Sequence, residues 1–392
     1  MTAAIDDFYF NNLPPLALYV HIPWCVRKCP YCDFNSHAQK GELPEAQYID
    51  ALLKDLQQDL PLVWGRRLSS VFIGGGTPSL FSPRSLDDLL SGIRALMPLA
   101  PEAEITLEAN PGTVEQDKFA EYRTLGINRI SIGIQSFDNS ALNKLGRIHN
   151  AKEAFRAVET AQRAEFENIN LDLMFGLPDQ TLAMAGKDVR EAIALQPTHI
   201  SYYQLTIEPN TLFHARPPEL PDDERIWEYQ VQGQDLLAES GYAQYEVSAY
   251  AQENKQCRHN LNYWQFGDYL GIGAGAHAKI SDANRQTITR YAKLRHPTEY
   301  MDKAEQPARL ALANTLTKKD VVLEFMMNAM RLLQGVKETV FEQHTGLAFD
   351  QIDEQLNLAQ ERGLLQKVQG YIQPTKHGQR YLNDLLEMFL PA

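Results

Sequence analysis

The sequence predicts an α/β protein: a partial barrel of six strand–helix units, then a mainly helical, winged-helix-like carboxyl-terminal domain. Three observations predict it. Short apolar runs alternate six times with stretches of helical apolar spacing between Leu16 and Ser240, the linking turns are short, and beyond about Tyr250 helical periodicity takes over. Alternation with short turns implies parallel strands and right-handed crossovers. Six units, where a closed barrel has eight, imply an opening on one side; an open doubly wound sheet is the alternative. The expected divisions are an extension over 1–15, a core over 16–250 and a carboxyl-terminal domain over 251–392.

The first buried strand is Leu16 to Val20, after Pro14-Pro15. Pro44 to Leu60 carries Tyr48, Ala51, Leu52 and Leu56 at helical spacing. Strand Ser70 to Ile73 runs into Gly74-Gly75-Gly76-Thr77-Pro78, and a helix over Pro83 to Leu96 has proline well placed in its first turn. Strand Glu104 to Ala109 precedes a helix from about Val114 to Leu125. Strand Arg129 to Gln135 precedes helices around Ser140 and over Lys152 to Ala164. Strand Asn168 to Met174 leads to helix Leu182 to Leu195, and strand His199 to Leu205 to helix Asp223 to Ser240. Farther on, Lys318 to Leu333 reads as an amphipathic helix, followed by two helices, short strands around Leu364-Leu365 and Tyr371-Ile372, and a helix over Gln379 to Leu390.

Charge and cysteine usage exclude several functions. With 37 basic and 50 acidic side chains the net charge is −13. That argues against binding nucleic acid, even through the winged-helix-like module, and against adhesion to anionic lipid. The module is expected to be a lid or docking surface. No run approaches the roughly 18 apolar residues of a membrane helix. Met1 to Leu13 has no Lys or Arg, unlike a secretory signal, so the cytoplasm is the expected compartment. Four cysteines in 392 residues are no disulfide framework.

Three of the four, Cys25, Cys29 and Cys32, lie within eight residues, in Cys25-Val26-Arg27-Lys28-Cys29-Pro30-Tyr31-Cys32. Pro23 just before this run, Pro30 within it, and the cations Arg27 and Lys28 do not read as core. A structural zinc site would need a fourth ligand, which His21 or His37 could supply. An iron–sulfur cluster suits three thiolates on one short loop better, and leaves one iron open for a ligand.

Cys-x3-Cys-x2-Cys with Tyr31 before the last cysteine resembles the signature of the radical S-adenosylmethionine (SAM) superfamily. The resemblance implies a [4Fe-4S] cluster whose open iron chelates SAM and whose reduction cleaves it to a 5′-deoxyadenosyl radical. It also implies that Gly75, Gly76 and Thr77, of the Gly-Gly-Gly-Thr-Pro motif, bind SAM through bare backbone. Glu108 would bond the cofactor, and Gln135, Arg147 and Asp172 would line its region, as in the related coproporphyrinogen dehydrogenases, where a second SAM can bind. Tyr19 and Tyr31 complete the implied SAM set. Read without the resemblance, Glu108 could be the partner of a neighbouring cation such as Arg129.

Leu18 to Asn35, Glu108-Ala109-Asn110-Pro111-Gly112, Gly133-Ile134-Gln135-Ser136-Phe137 and Gly146-Arg147-Ile148-His149 resemble the oxygen-independent coproporphyrinogen III oxidase-like family over nearly the whole chain. Two departures separate this chain from the decarboxylating enzyme: Phe34 stands where that enzyme has a fourth cysteine, and only 24 residues precede Cys25. His259-Asn260-Leu261-Asn262-Tyr263-Trp264 resembles the motif of the HemW-type branch, whose members look like haem chaperones. It implies haem b as a transported ligand at His259, Asn260, Tyr263 and Trp264. Imidazole ligates iron, aromatic faces cover the macrocycle, and Arg258 could pair with a propionate. Gly271 to His277 lacks the context of a dinucleotide loop; in this family it lies close to the SAM site, with His277 as an extra candidate ligand.

The expectation is thus a radical SAM haem chaperone with no catalytic residue of its own assigned. It would deliver haem to acceptor haem proteins, including membrane respiratory enzymes, and meet a membrane only through them. The alternatives are an oxygen-independent coproporphyrinogen III dehydrogenase and a zinc-stabilised interaction module. The sequence leaves open SAM cleavage, the number of SAM molecules, the axial ligand and a homodimer.

Overall fold

The computed structural model describes residues 8–112 and 118–390. Six strands lie parallel in the order in which they occur: β1 (Leu16–Ile22), β2 (Leu68–Gly75), β3 (Leu99–Ala109), β4 (Arg129–Gln135), β5 (Ile169–Phe175) and β6 (His199–Gln204). Strand alternation sends Val71, Ile73, Leu107, Ile130, Ile132 and Leu171 into one fully buried apolar core. The other face is polar, with Ser70, Thr106, Ser131 and Asn170 all buried.

The crossover helices are α1 (Glu45–Asp59), α2 (Pro83–Leu96), α3 (Phe119–Thr124), α4 (Asn139–Lys144), α5 (Ala151–Arg163), α6 (Leu182–Ala194) and α7 (Asp223–Glu239). Side chains of Ser82, Asn150, Thr181 and Asp222 each cap the first turn of the helix they precede, a contribution of about 1 kcal/mol apiece. Part of the helix expected from Val114 falls at 113–117, outside the described residues; α3 is its described remainder.

The β structure does not stop at Tyr250, as the periodicity suggested. A hairpin of β7 (Ala243–Glu246) and β8 (Ala249–Ala251) adds to β6, β8 antiparallel to it. On the other edge β9 (Asp268–Ile272) pairs parallel with β1 after a short helix, α8 (Arg258–Trp264), and β10 (His277–Asp282), β11 (Thr287–Lys293) and β12 (Leu310–Thr315) follow antiparallel. The described sheet runs β12-β11-β10-β9-β1-β2-β3-β4-β5-β6-β8-β7. These late strands escaped the sequence pattern because they are short and polar on one face; β12 is exposed over most of its length.

Two buried ionic knots hold this addition in place. Asp55 and Asp59 of α1 accept from Lys293 at 2.5 and 2.6 Å and from Arg309 at 2.9 and 2.5 Å, and Asp55 also accepts from the Tyr300 hydroxyl at 2.7 Å. Asp268 at the start of β9 accepts from Arg66 at 2.7 Å and Lys279 at 2.9 Å.

A second core joins Phe8 and Phe10 to Val321, Phe325, Phe341, Leu356 and Ile372. Around it lie helices Lys318–Ala329, Glu338–Thr345 and Asp353–Glu361, with a small sheet of Val336–Lys337, Tyr371–Pro374 and Leu365–Val368. Helix, strand, two helices and a two-stranded wing match the winged-helix-like order. The helix expected over Gln379 to Leu390 is two pieces, Lys376–Arg380 and Leu382–Glu387, broken where Tyr381 leaves helical geometry at φ −112° and ψ 49°. Among the described residues no helix is long and apolar enough to cross a membrane.

Candidate functional site

A cavity of about 460 Å³ opens at the carboxyl ends of the parallel strands, where barrel-type folds place their chemistry. Its wall brings together Cys25, Cys29, Tyr31, Cys32, Gly75, Gly76, Thr77, Glu108, Gln135, Arg147 and Asp172. Residues drawn from six separate segments therefore share one surface. Of the expected SAM set, only Tyr19 is off that wall. Its hydroxyl bonds Nδ1 of His21 at 2.9 Å, deeper in the barrel.

The three thiols sit on the loop after β1. That loop is tied down by backbone bonds: the amides of Gly76 and Thr77 donate to the carbonyls of Ile22 and Trp24, each at 2.8 Å. A Cβ on Gly76 would stand 2.5 Å from the Trp24 carbonyl oxygen, so only glycine permits this approach. Burial pushes the Cys25 thiol up to about 11. Among the described residues, no three His, Cys, Asp or Glu side chains converge tightly enough to grip one ion. A cluster makes no such demand, since it spreads its ligands over separate irons. Both ring nitrogens of His21 are engaged, Nδ1 by Tyr19 and Nε2 by the Asn35 carbonyl at 2.9 Å, so His21 is no spare zinc ligand. The donor set fits a cubane held on three thiolates.

Arg147 faces the loop. Its guanidinium donates to Cys29 Sγ at 3.6 Å, to the Gly133 carbonyl at 2.8 Å and to Asn110 Oδ1 at 2.5 Å, while its buried Nε has no partner among the described residues. Asn110 in turn donates to Thr77 Oγ1 at 2.8 Å. Gln135 adopts a left-handed backbone, φ 68°, and its Oε1 accepts the Tyr203 hydroxyl at 2.7 Å. Asn110, Ser131, Ser201 and Tyr203 also line the wall, and sequence reasoning passed over them. Strand register was the available signal, because Ser131, Ser201 and Tyr203 alternate on the same face as Gln135 and Asp172.

Glu108 Oε2 accepts the Gly75 amide at 3.0 Å; no ion pair with Arg129 forms among the described residues. Burial, reinforced by the charge of Asp172, pushes its pKa up to about 8. The folded state therefore keeps a proton that the unfolded chain releases near 4.5, and stability falls as pH rises between these values. In Glu108→Gln that slope is expected to shrink. Urea midpoints measured at pH 5 and pH 8 should lie closer together than in wild type; equal spacing in both proteins would refute this origin.

The haem-motif residues lie at the other end of the barrel. Cys257 and α8 plug the amino-terminal mouth, where Glu104 accepts from the Cys257 thiol at 3.5 Å and from the Arg258 and His259 amides at 3.2 Å. His259 is 1% exposed, with Nδ1 bonded to Ser70 Oγ at 2.9 Å and Nε2 to the Tyr263 hydroxyl at 3.0 Å. Burial, with Arg129 nearby, lowers its pKa to about 3, which keeps the imidazole neutral. Ser70 and Gly75 are five positions apart on β2, so the two ends are about 17 Å apart. Tyr263 and Trp264 line a smaller cavity of about 200 Å³ with Tyr269, Lys279 and Arg290. Asn260 lies half-buried on α8, and the Arg258 side chain donates to the Glu102 carbonyl at 2.7 Å. Exposed His277 begins β10 at neither mouth wall, but Ala274 in the preceding turn accepts from Asn35 of the cysteine loop at 2.8 Å.

Comparison with known proteins agrees with this architecture. Residues 19–192 match the Radical SAM superfamily and residues 316–381 the HemN C-terminal domain. The chain is 53% identical to the heme chaperone HemW of Escherichia coli K12 and 52% identical to that of Haemophilus influenzae, covering 97% of this chain and 99% of each relative. It is 33% identical to the heme chaperone HemW of Bacillus subtilis over 95% of this chain and 98% of the relative. Its fold superimposes on the coproporphyrinogen III oxidase HemN of Escherichia coli with a TM-score of 0.81, at 24% identity, covering 96% of this chain and 90% of that one. A near-full-length match at this identity, on a sheet and winged module of the same design, places the chain in the HemW family of the radical SAM superfamily.

Proposed function

We propose that the protein is a haem chaperone that holds a [4Fe-4S] cluster on Cys25, Cys29 and Cys32, binds SAM beside it, and passes haem to acceptor haem proteins, membrane respiratory enzymes among them. The observation that carries the first half is the meeting of three thiols with Gly75, Gly76, Thr77, Tyr31, Glu108, Gln135, Arg147 and Asp172 in one cavity. When bound, the cluster supplies an open iron and one-electron reduction. The chain's own groups then have separable tasks. Gly75 and Gly76 bring bare backbone to the ligand, Glu108 and Asp172 offer carboxyl oxygens to its hydroxyls or amino groups, and Arg147 donates towards Cys29 and tightens the thiolate environment. The heme chaperones among its relatives, together with the His259 motif, support haem as cargo. Because His259 has both nitrogens bonded, haem coordination there requires α8 to move; Tyr263 and Trp264 already border open space.

Anaerobic reconstitution with iron and sulfide, haem titration, and an assay on coproporphyrinogen III test the proposal together. We expect a brown protein that shifts the haem Soret band and forms no protoporphyrinogen. Protoporphyrinogen formation would make it the dehydrogenase instead, and a cluster-loaded protein that leaves haem unbound would end the carrier role.

A further inference from the structure

Among the described residues, a continuous chain of hydrogen bonds through the buried interior joins the two ends of the barrel. The Cys257 amide donates to the Tyr245 hydroxyl oxygen at 3.2 Å. Tyr245 bonds His199 Nε2 at 2.9 Å, and His199 Nδ1 bonds Asn170 Oδ1 at 2.6 Å. Asn170 Nδ2 donates to Asp172 Oδ1 at 2.8 Å, and Asp172 lines the cavity.

Only one set of proton positions satisfies every link. A backbone amide can only donate, so the Tyr245 oxygen accepts from Cys257. Asn170 uses its Nδ2 on Asp172 and Ser131, so its Oδ1 must accept from Nδ1, and Nε2 of a neutral His199 then accepts the Tyr245 proton. Nδ1 then carries the imidazole proton towards Asn170 Oδ1, which leaves the Asn170 amide to face the carboxylate. Burial holds His199 neutral, as this arrangement requires. All four bonds therefore point one way, from the first residue before α8 to the cavity. Such aligned bonds polarise one another in a low-dielectric interior. Asn170 also donates to Ser131 Oγ at 2.8 Å, so a change at Asp172 cannot be absorbed by a loose side chain.

We propose that His199 and Tyr245 are positioning residues shared by both ends, through which a ligand on Asp172 sets the hold on α8 and hence the release of His259. This rests on SAM occupying the cavity and haem reaching α8. The element with two arrangements is α8. In one, its start is pinned by Tyr245 and Glu104, and His259 is locked to Ser70 and Tyr263; in the other, His259 is free to take a ligand. Linkage makes the effect reciprocal: whatever SAM does to haem affinity, haem does to SAM affinity by the same factor.

The test uses the full chain with its reconstituted cluster. Hydrogen–deuterium exchange of residues 258–264 is measured with and without saturating SAM, with SAM affinity determined separately by calorimetry. Haem affinity is then measured with and without SAM. In wild type, SAM should change exchange in α8 and shift haem affinity about fivefold or more, the usual lower range of allosteric coupling. Tyr245→Phe, and independently His199→Gln, should still bind SAM but bring both changes to within twofold of none. Tyr242→Phe, which removes a buried hydroxyl that donates to the Pro197 carbonyl and takes no part in this chain of bonds, should behave as wild type and controls for general loosening. Wild-type protein that binds SAM without altering α8 would overturn the coupling alone, as would chain variants that keep the wild-type factor. Failure of SAM to bind would overturn the cofactor reading and the coupling together.

Discussion

Serine in place of Cys25, Cys29 or Cys32 is expected to abolish cluster retention, lowering iron and acid-labile sulfide from about four each per chain to near zero. The thiolate is the soft ligand that iron–sulfur centres select, and a hydroxyl is a poor substitute. Cys25 shows the point most sharply: burial pushes its thiol up to about 11, so iron binding there displaces a proton that the thiol otherwise keeps. The fold itself should survive. The loop is fixed by backbone bonds from Gly76, Thr77, His37 and Gln39 to Ile22, Trp24, Pro23 and Cys25, none of which needs the sulfur atoms. Far-ultraviolet circular dichroism should therefore match wild type while the visible absorbance disappears. A Cys25→Ser protein that keeps full brown absorbance and four irons would remove the cluster from this loop.

Asp55→Ala is expected to destabilise the protein by about 3–5 kcal/mol, because it strands buried cations without compensation. Asp55 accepts from Lys293, Tyr300 and Arg309, all buried, on three segments that follow β9. Asp59 would be left to balance both cations alone. Lys54 forms ion pairs at the protein surface with Asp50 and Glu305, and Lys54→Ala should leave the unfolding midpoint unchanged. Urea unfolding of both variants checks the contrast. An Asp55→Ala midpoint indistinguishable from that of Lys54→Ala would show that α1 does not depend on this knot.

Much of the core was legible because its parallel strands are buried on both sides of an apolar layer, and such runs as Arg129–Gln135 and Ile169–Phe175 stand out between helical stretches. Their ends and the loops beyond them also carry motif residues, so Glu108, at the end of β3, and Arg147, just after α4, could be found without coordinates. The late strands were not legible. Thr287–Lys293 reads Thr-Ile-Thr-Arg-Tyr-Ala-Lys, without the strict alternation of a half-buried strand, and its Lys293 is buried only because Asp55 and Asp59, far earlier in the chain, take its charge. Pairing at that separation leaves no local pattern. His259 was visible as a residue but its state was not. Nothing in His-Asn-x-x-Tyr-Trp announces that Ser70, from the second strand, and Tyr263 would occupy both ring nitrogens.

The packing of Phe8 and Phe10 among residues of the winged module bears on how the chain is made. Ribosomes emit proteins from the amino end, and early segments ordinarily settle before later ones exist. Here the Phe10 amide bonds Gln286, 276 positions downstream, and Tyr9 bonds Gly346, so this opening segment has no place to go until almost everything else has emerged. Until those downstream residues exist, the rings of Phe8 and Phe10 have no partners to dock against. A nascent chain cut short before the winged module would display them to chaperones and proteases as the sign of an unfinished product.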